Sequence, residues 1–256
     1  KQKLFNWIVD FYEVRYFIKP HEGMAVLDER TREWAREYFG KDAVVVRSGL
    51  DIQKFPFMPN KKITTDGARI LMAGIFFVHR IYEDTIQAIK ILLDRGYDAT
   101  LTIVGAYASN NEYLSYHERL HALVSELGIQ KRVMFLGHIS ENDLSENYGS
   151  HDMYVSPNHL QSWGLAVFEA MASGLPVIVS KTAGAAEVLT DGSNALLVAP
   201  KSPEEIATAI ARLIDNPKLY EHMSIEGRAF VEKNISWKQS ARAMLKVFER
   251  ARGNAI

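Results

Sequence analysis

The sequence predicts an α/β protein built on a doubly wound parallel sheet. From about residue 43 onward, short β-branched runs alternate with amphipathic helical stretches. The runs are apolar at nearly every position, as strands become when helices cover both faces of a sheet. The 256 residues, 47% of them apolar, suffice for one large core or two modest ones.

The strand candidates, in order, are AVVV (43–46), RILMA (69–73), ATLTIV (99–104), RVMFL (132–136), MYVS (153–156), PVIVS (176–180) and ALLV (195–198). Helical spacing joins Ile86, Ile89, Leu92 and Leu93 between the second and third, and Tyr113, Leu120, Val124 and Leu127 between the third and fourth. Gly96 and Gly128 stand at the expected C-caps. Ser202-Pro203-Glu204-Glu205 reads as a capping box with proline at the first helical position. The first 40 residues break the alternation: an aromatic-rich helix over 1–19, a candidate strand at 24–27 and a helix ending at Gly40. Trp237 opens a last helix with Ala241, Met244, Leu245 and Phe248 expected on its buried face. The best linker candidate is 56–68. The domains so drawn are 1–40, 41–235 and 236–256, the last packing back toward the amino-terminal side.

Thirty basic against 31 acidic residues leave no positive excess for nucleic acid. The absence of cysteine removes disulfide scaffolds, thiolate catalysis and cysteine-bound zinc. No apolar run reaches the length of a membrane span and no signal-peptide pattern appears, so a soluble protein of a reducing compartment is expected.

In open α/β sheets ligands bind beyond the carboxyl ends of the strands. That rule selects the loops Gly74–Arg80, Gly105–Asn111, Gly137–Ser140 and Ser156–Gly164. Three start with glycine, which lets backbone approach a ligand. The fourth leads into a helix whose first N–H groups, at Gly164, Leu165 and Ala166, make a ready anion site. Arg80 can neutralise the same anion, and Glu169 can accept hydrogen bonds from sugar hydroxyls. These residues describe a site for phosphate plus polyol.

Residues 154–189, YVSPNHLQSWGLAVFEAMASGLPVIVSKTAGAAEVL, resemble the donor-site segment of retaining glycosyltransferases of family 4. These have the GT-B fold of two Rossmann-like domains. RSGLDIQKF, LMAGIFFVHRIYEDTIQAIKIL, FLGHIS and the late Ser236-Trp237 fall in the family's order, so the resemblance runs from about Val44 to Phe248. It implies that this chain is the carboxy-terminal, donor-binding half, with residues 1–40 a remnant of an amino-terminal acceptor domain whose absence would leave the chain incomplete for turnover.

Glu169 matches the second acid of the family's E-x7-E motif, which holds the nucleotide ribose. Gln161 stands at the first acid, which contacts the donor sugar. Trp163, Gly164, Leu165 and Ala166 match the turn whose amides meet the sugar or distal phosphate. Arg80 matches the lysine on the diphosphate. Ile75 replaces the arginine usual beside Gly74, and His79 is the candidate to compensate. His138 and Ile139 lie where the family grips the base, and Gly105 where the second glycine loop passes the nucleotide. The implied reaction transfers a hexose from a UDP- or GDP-sugar to an acceptor glycan or lipid-linked sugar. It proceeds with retention and without cofactor or metal, in the cytoplasm or at the inner face of the membrane.

Each residue also has a plainer reading. Glu169 fits a solvated or capping glutamate, Arg80 a surface ion pair, Gln161 and Trp163 loop packing, and His138 an ordinary loop histidine. Glu187, which matches a family glutamate, fits a helix-start acid. Gln161 and Ile75 also suit a non-catalytic nucleotide-sugar binding module or a subunit of a split enzyme. His117-Glu118-Arg119-Leu120-His121 is a literal HExxH, the zinc-hydrolase pattern, with Glu141 and Glu146 as third-ligand candidates. Against that, its helix reads as an ordinary crossover.

Overall fold

The computed structural model describes residues 23–58, 63, 67–105 and 111–253. The helix expected over 1–19 lies outside them, as do 59–62 and 64–66 of the linker and 106–110 of the second glycine loop. The chain divides into two units, Leu50–Ser236 and a smaller one joining Lys1–Gly49 with Trp237–Ile256.

The smaller unit opens with β1 (Ala25–Val26), α1 (Glu29–Phe39) and β2 (Val44–Val45). Asp28 caps α1, accepting the Thr31 N–H at 2.6 Å. Gly40 ends it at φ 65°, its own N–H returning to Ala35 and Arg36, a left-handed stop that glycine takes without strain. Strand β2 pairs in parallel with β1. The strand expected at 43–46 therefore belongs to this two-stranded sheet and not to the main one.

The larger unit runs through β3 (Ala68–Ala73), α2 (Tyr82–Asp94), β4 (Ala99–Val104), α3 (Asn111–Glu126), β5 (Val133–Gly137) and α4 (Glu141–Ser150). It continues with β6 (Met153–Ser156), α5 (Leu165–Ala172), β7 (Val177–Ser180), β8 (Leu196–Val198), α6 (Pro203–Asp215) and α7 (Pro217–Asn234). The six strands pair in parallel in the order β5-β4-β3-β6-β7-β8. This is the expected doubly wound sheet.

Its two faces carry two cores. Ile70, Ile103 and Val155 pack with Ile86, Ile89, Tyr116 and Ile210 on one; Leu71, Tyr154 and Val179 pack with Phe168, Met171 and Val231 on the other. Within the sheet, neighbouring positions such as Ile70 and Leu71 are both fully buried, which is why the strands read as unbroken apolar runs.

At the β3–β6 seam, Asp152 is fully buried. It accepts the Arg69 backbone N–H at 2.8 Å and two guanidinium bonds at 3.0 and 2.8 Å. These bonds fix how the central strands align. Ser202 caps α6 through the Glu205 N–H with Pro203 in the first turn, but the Glu205 carboxylate turns to the Ala199 N–H at 2.7 Å. It thus ties the helix to the end of β8.

In the smaller unit the chain closes with α8 (Trp237–Gly253). Its expected face is corrected: Leu245 and Phe248 are 57% and 63% exposed, whereas Val247 is buried. The more sheltered stripe runs through Ser240, Ala243, Met244, Val247 and Ala251, one step round the helix from the apolar run in the sequence.

Candidate functional site

The chain leaves β3 for β4 and β5 on one side, then returns through β6 to β7 and β8 on the other. Strand order therefore reverses between β3 and β6, and a ligand crevice opens beyond their carboxyl ends in such sheets. The two loops meet there, the His159 N–H donating to the His79 carbonyl at 3.0 Å.

Gly74 follows β3 directly, at φ 153°. A Cβ on it would collide with the Arg80 guanidinium, so glycine makes the room in which Arg80 folds back over the strand end. Arg80 Nη1 donates to the Ala73 carbonyl at 3.5 Å, which also accepts the Tyr154 hydroxyl at 3.1 Å. Tyr82 donates to the Gly74 carbonyl at 2.8 Å. Arg80 Nε is buried with no acceptor among the described residues, so the guanidinium is held in place with donor capacity unspent. Ile81, between the 3-10 turn at Val78–Arg80 and α2, sits at φ 48°. A β-branched residue there is strained by roughly 1–3 kcal/mol, and strain of this kind marks a loop held in place by its surroundings. His79 is held below the ordinary imidazole range by partial burial and then by the Arg80 charge, so it is neutral at pH 7.

The loop after β6 is organised by Asn158, which is buried. Its amide donates to Ser156 Oγ at 3.0 Å and also to Gln161 Oε1. The Gln161 carbonyl takes the Gly184 N–H at 2.9 Å. Gly164 turns the chain at φ 72° into α5, and a Cβ there would stand 3.1 Å from Gln161 Oε1. The Gln161 carboxamide thus lies beside the start of α5. The first amides of a helix have no partner in their own turn; those of Leu165 and Ala166 find none among the described residues, whereas that of Val167 returns to Gly164. Trp163 is buried and stacks on Phe168 at 4.4 Å, so its indole packs against the first turn of α5.

One turn further, Glu169 accepts the Tyr148 hydroxyl at 2.9 Å. Burial raises its carboxyl above the usual carboxylate range; the Tyr148 bond opposes this and the Glu141 charge adds to it. A merely solvated glutamate does not fit this setting. Burial pushes Tyr154 up to about 12, the Arg80 charge pulling it down and the Glu169 charge pushing it up. Both charges therefore act on one buried hydroxyl beneath the crevice.

Residues 54–230 match the family Glycosyl transferases group 1. The chain belongs to that family. It is 29% identical over 199 residues to an uncharacterized glycosyltransferase of Methanocaldococcus jannaschii, covering 78% of this chain and 49% of that one. It thus spans about half the length of such curated relatives. The C-terminal domain of the group 1 glycosyl transferase LpcC from Francisella tularensis superposes with a TM-score of 0.64 at 27% identity, covering 73% of this chain and 98% of that domain. The Anabaena protein HepE in complex with UDP-glucose gives 0.79 at 18% identity, covering 94% and 67%.

In this group 1 chain Gly74, His79, Arg80, Gln161, Gly164, Leu165, Ala166 and Glu169 come together around the β3–β6 crevice. Gly105 is buried, and its Cα packs on the Gly74 carbonyl, so the second glycine loop starts in close contact with the first. His138 is exposed and Ile139 half-buried beyond β5, two strand spacings, or roughly 10 Å, from β3. Glu187 is exposed in the short helix Gly184–Val188. Among the described residues no group of three His, Cys, Asp or Glu could hold a metal ion, so Glu141 and Glu146 do not complete a zinc centre with His117 and His121. No helix among them is long and apolar enough to cross a membrane. Tyr82, Tyr148, Tyr154 and Asn158 escaped the sequence reading; the polar Tyr154 within an otherwise apolar central strand was the available signal.

Asp84, in the first turn of α2, gives a test of stability. Its carboxyl is raised to about 6, by burial first and then the Glu83 charge, against the Lys201 charge and backbone N–H. One carboxyl oxygen is buried without a partner among the described residues. The native state therefore holds this proton more tightly than the unfolded chain, and the stability gained below about pH 4 is lost as pH rises through about 6. Asp84→Asn should raise stability at pH 7.5 by about 1–2 kcal/mol, with the gain fading below pH 4 in urea titrations.

Proposed function

We propose that the larger unit binds the nucleoside-diphosphate sugar donor of a retaining, metal-independent glycosyltransferase of family 4, with UDP or GDP as the carrier. The observation that carries this reading is the convergence, at the β3–β6 crevice, of a guanidinium, two helix amides that find no partner among the described residues and a half-buried carboxylate. A diphosphate leaving group gains negative charge as its bond to the sugar breaks. Arg80 and the amino end of α5 are already placed to stabilise that charge, and preorganised donors cost little reorganisation during reaction. His79, neutral, can donate without adding charge. Glu169, further down α5, suits the ribose hydroxyls. His138 and Ile139, two strands away, suit the base.

The sugar then sits between Gln161 and the turn at Gly164, where a hydroxyl of a glycan or lipid-linked sugar attacks the anomeric carbon. The proton of that hydroxyl goes to the departing phosphate on the same face, which gives retention without a protein nucleophile. The UDP-glucose seen with HepE supports a nucleotide-sugar donor, and the match to the LpcC C-terminal domain supports the donor-side assignment.

Calorimetric titration with UDP, GDP, ADP and their sugar conjugates, with and without EDTA, tests the reading. One nucleotide should bind in EDTA, and Arg80→Met should weaken the diphosphate by about 10- to 100-fold while hardly changing the nucleoside. Silence across the panel, or binding that needs a divalent metal, would overturn it. Gln161 favours a second reading: its oxygen is engaged by Asn158, as suits a module that binds nucleotide sugar without transferring it. Binding without transfer, with acceptor and any acceptor-side domain supplied, would select that alternative.

A further inference from the structure

We infer that His117 and His121, one turn apart on α3, form a two-histidine chelate for a divalent transition-metal ion. Their Nε2 atoms lie 3.0 Å apart. A metal bound at about 2.1 Å to each of two nitrogens at a right angle holds those nitrogens about 3.0 Å apart. The rings are set by aromatic neighbours and not left to rotate. His121 lies on Phe135 at 4.2 Å, and His117 stands edge-on to Phe135 at 5.4 Å and to Phe76 at 5.2 Å. Much of the side-chain ordering that chelation requires is therefore already done.

No third protein donor joins the pair among the described residues, so a metal bound here would complete its coordination with solvent. Imidazole donors select copper, nickel and zinc over magnesium and calcium, with copper bound tightest. The donor crevice uses neither histidine, so metal here and nucleotide in EDTA are independent observations.

Calorimetry and thermal melting with copper, nickel, zinc and magnesium chlorides on the whole chain decide the matter. One copper or nickel ion should bind per chain, raising Tm by about 5 °C or more at a hundredfold excess over Kd, and magnesium should do nothing. His121→Ala should weaken nickel at least ~10-fold, and His117→Asn should do the same from the other side. His222→Ala, on α7, should leave nickel binding unchanged. Far-UV circular dichroism checks that each variant folds. Unaltered affinity in both pair variants, equal loss in His222→Ala, or no stoichiometric binding by the parent would overturn the site.

Discussion

Glu169→Gln is expected to melt at a higher temperature than the parent at pH 7.5 while binding its nucleotide sugar about 10- to 100-fold more weakly. The two effects have one cause. Burial raises the native carboxyl above its ordinary value of 4.5, despite the hydrogen bond from Tyr148. The native state therefore binds this proton more tightly than the unfolded chain. Above the native pKa the half-buried charge costs stability, and below the unfolded value both states are protonated and the cost is gone. Glutamine keeps an oxygen for Tyr148 and carries no charge. The Tm difference should thus be positive at pH 7.5 and shrink toward zero as pH falls through about 4. A neutral amide also accepts hydrogen bonds more weakly than a carboxylate, which is where the affinity goes. A variant that melts lower at pH 7.5, or binds as the parent does, would refute the assignment. The trade is familiar for buried functional charges, which proteins keep at some expense of stability.

All seven strands from residue 43 onward were legible as apolar runs, and in the six of the main sheet burial on both faces erases the in-out alternation. What the pattern lacks is partnership. The strand at 43–46 has the same composition as the others, and nothing local says that it pairs with residues 25–26 outside the main sheet. On α8, Leu245 and Phe248 look like core, yet the helix buries Val247; the most apolar stripe and the buried stripe differ by one step. The crevice was read through Gly74, Arg80 and Glu169, since glycine after a strand and charge near a helix start have local signatures. The groups that hold them do not. Tyr148 and Tyr82 count as core until a fold aims their hydroxyls at Glu169 and at the Gly74 carbonyl. The Asn158–Gln161 contact depends on the path of a whole loop.

Gly105→Ala should be severely destabilising, costing about 3 kcal/mol or more and lowering Tm by roughly 6–12 °C. A Cβ at this position would strike the Gly74 carbonyl oxygen. That oxygen already accepts the Tyr82 hydroxyl at 2.8 Å, and the Gly105 N–H donates to Gly137 at 2.9 Å. The obstacle is backbone on a strand end locked by its own bonds, so no side-chain rotation gives relief. The first glycine loop must shift, carrying the Arg80 guanidinium with it. Donor affinity should therefore fall along with stability, although residue 105 need not touch the donor. Gly227 supplies the contrast. It is equally buried, inside α7, but a Cβ there meets only Met171 side-chain atoms at 3.6–3.7 Å. Gly227→Ala should hold or gain about 0.5–1 kcal/mol, as alanine replaces glycine in a helix interior. Chemical denaturation of the two variants side by side separates close approach from burial. If both lost the same stability, burial would be the explanation and the loop-on-loop packing at Gly74 would not control the site.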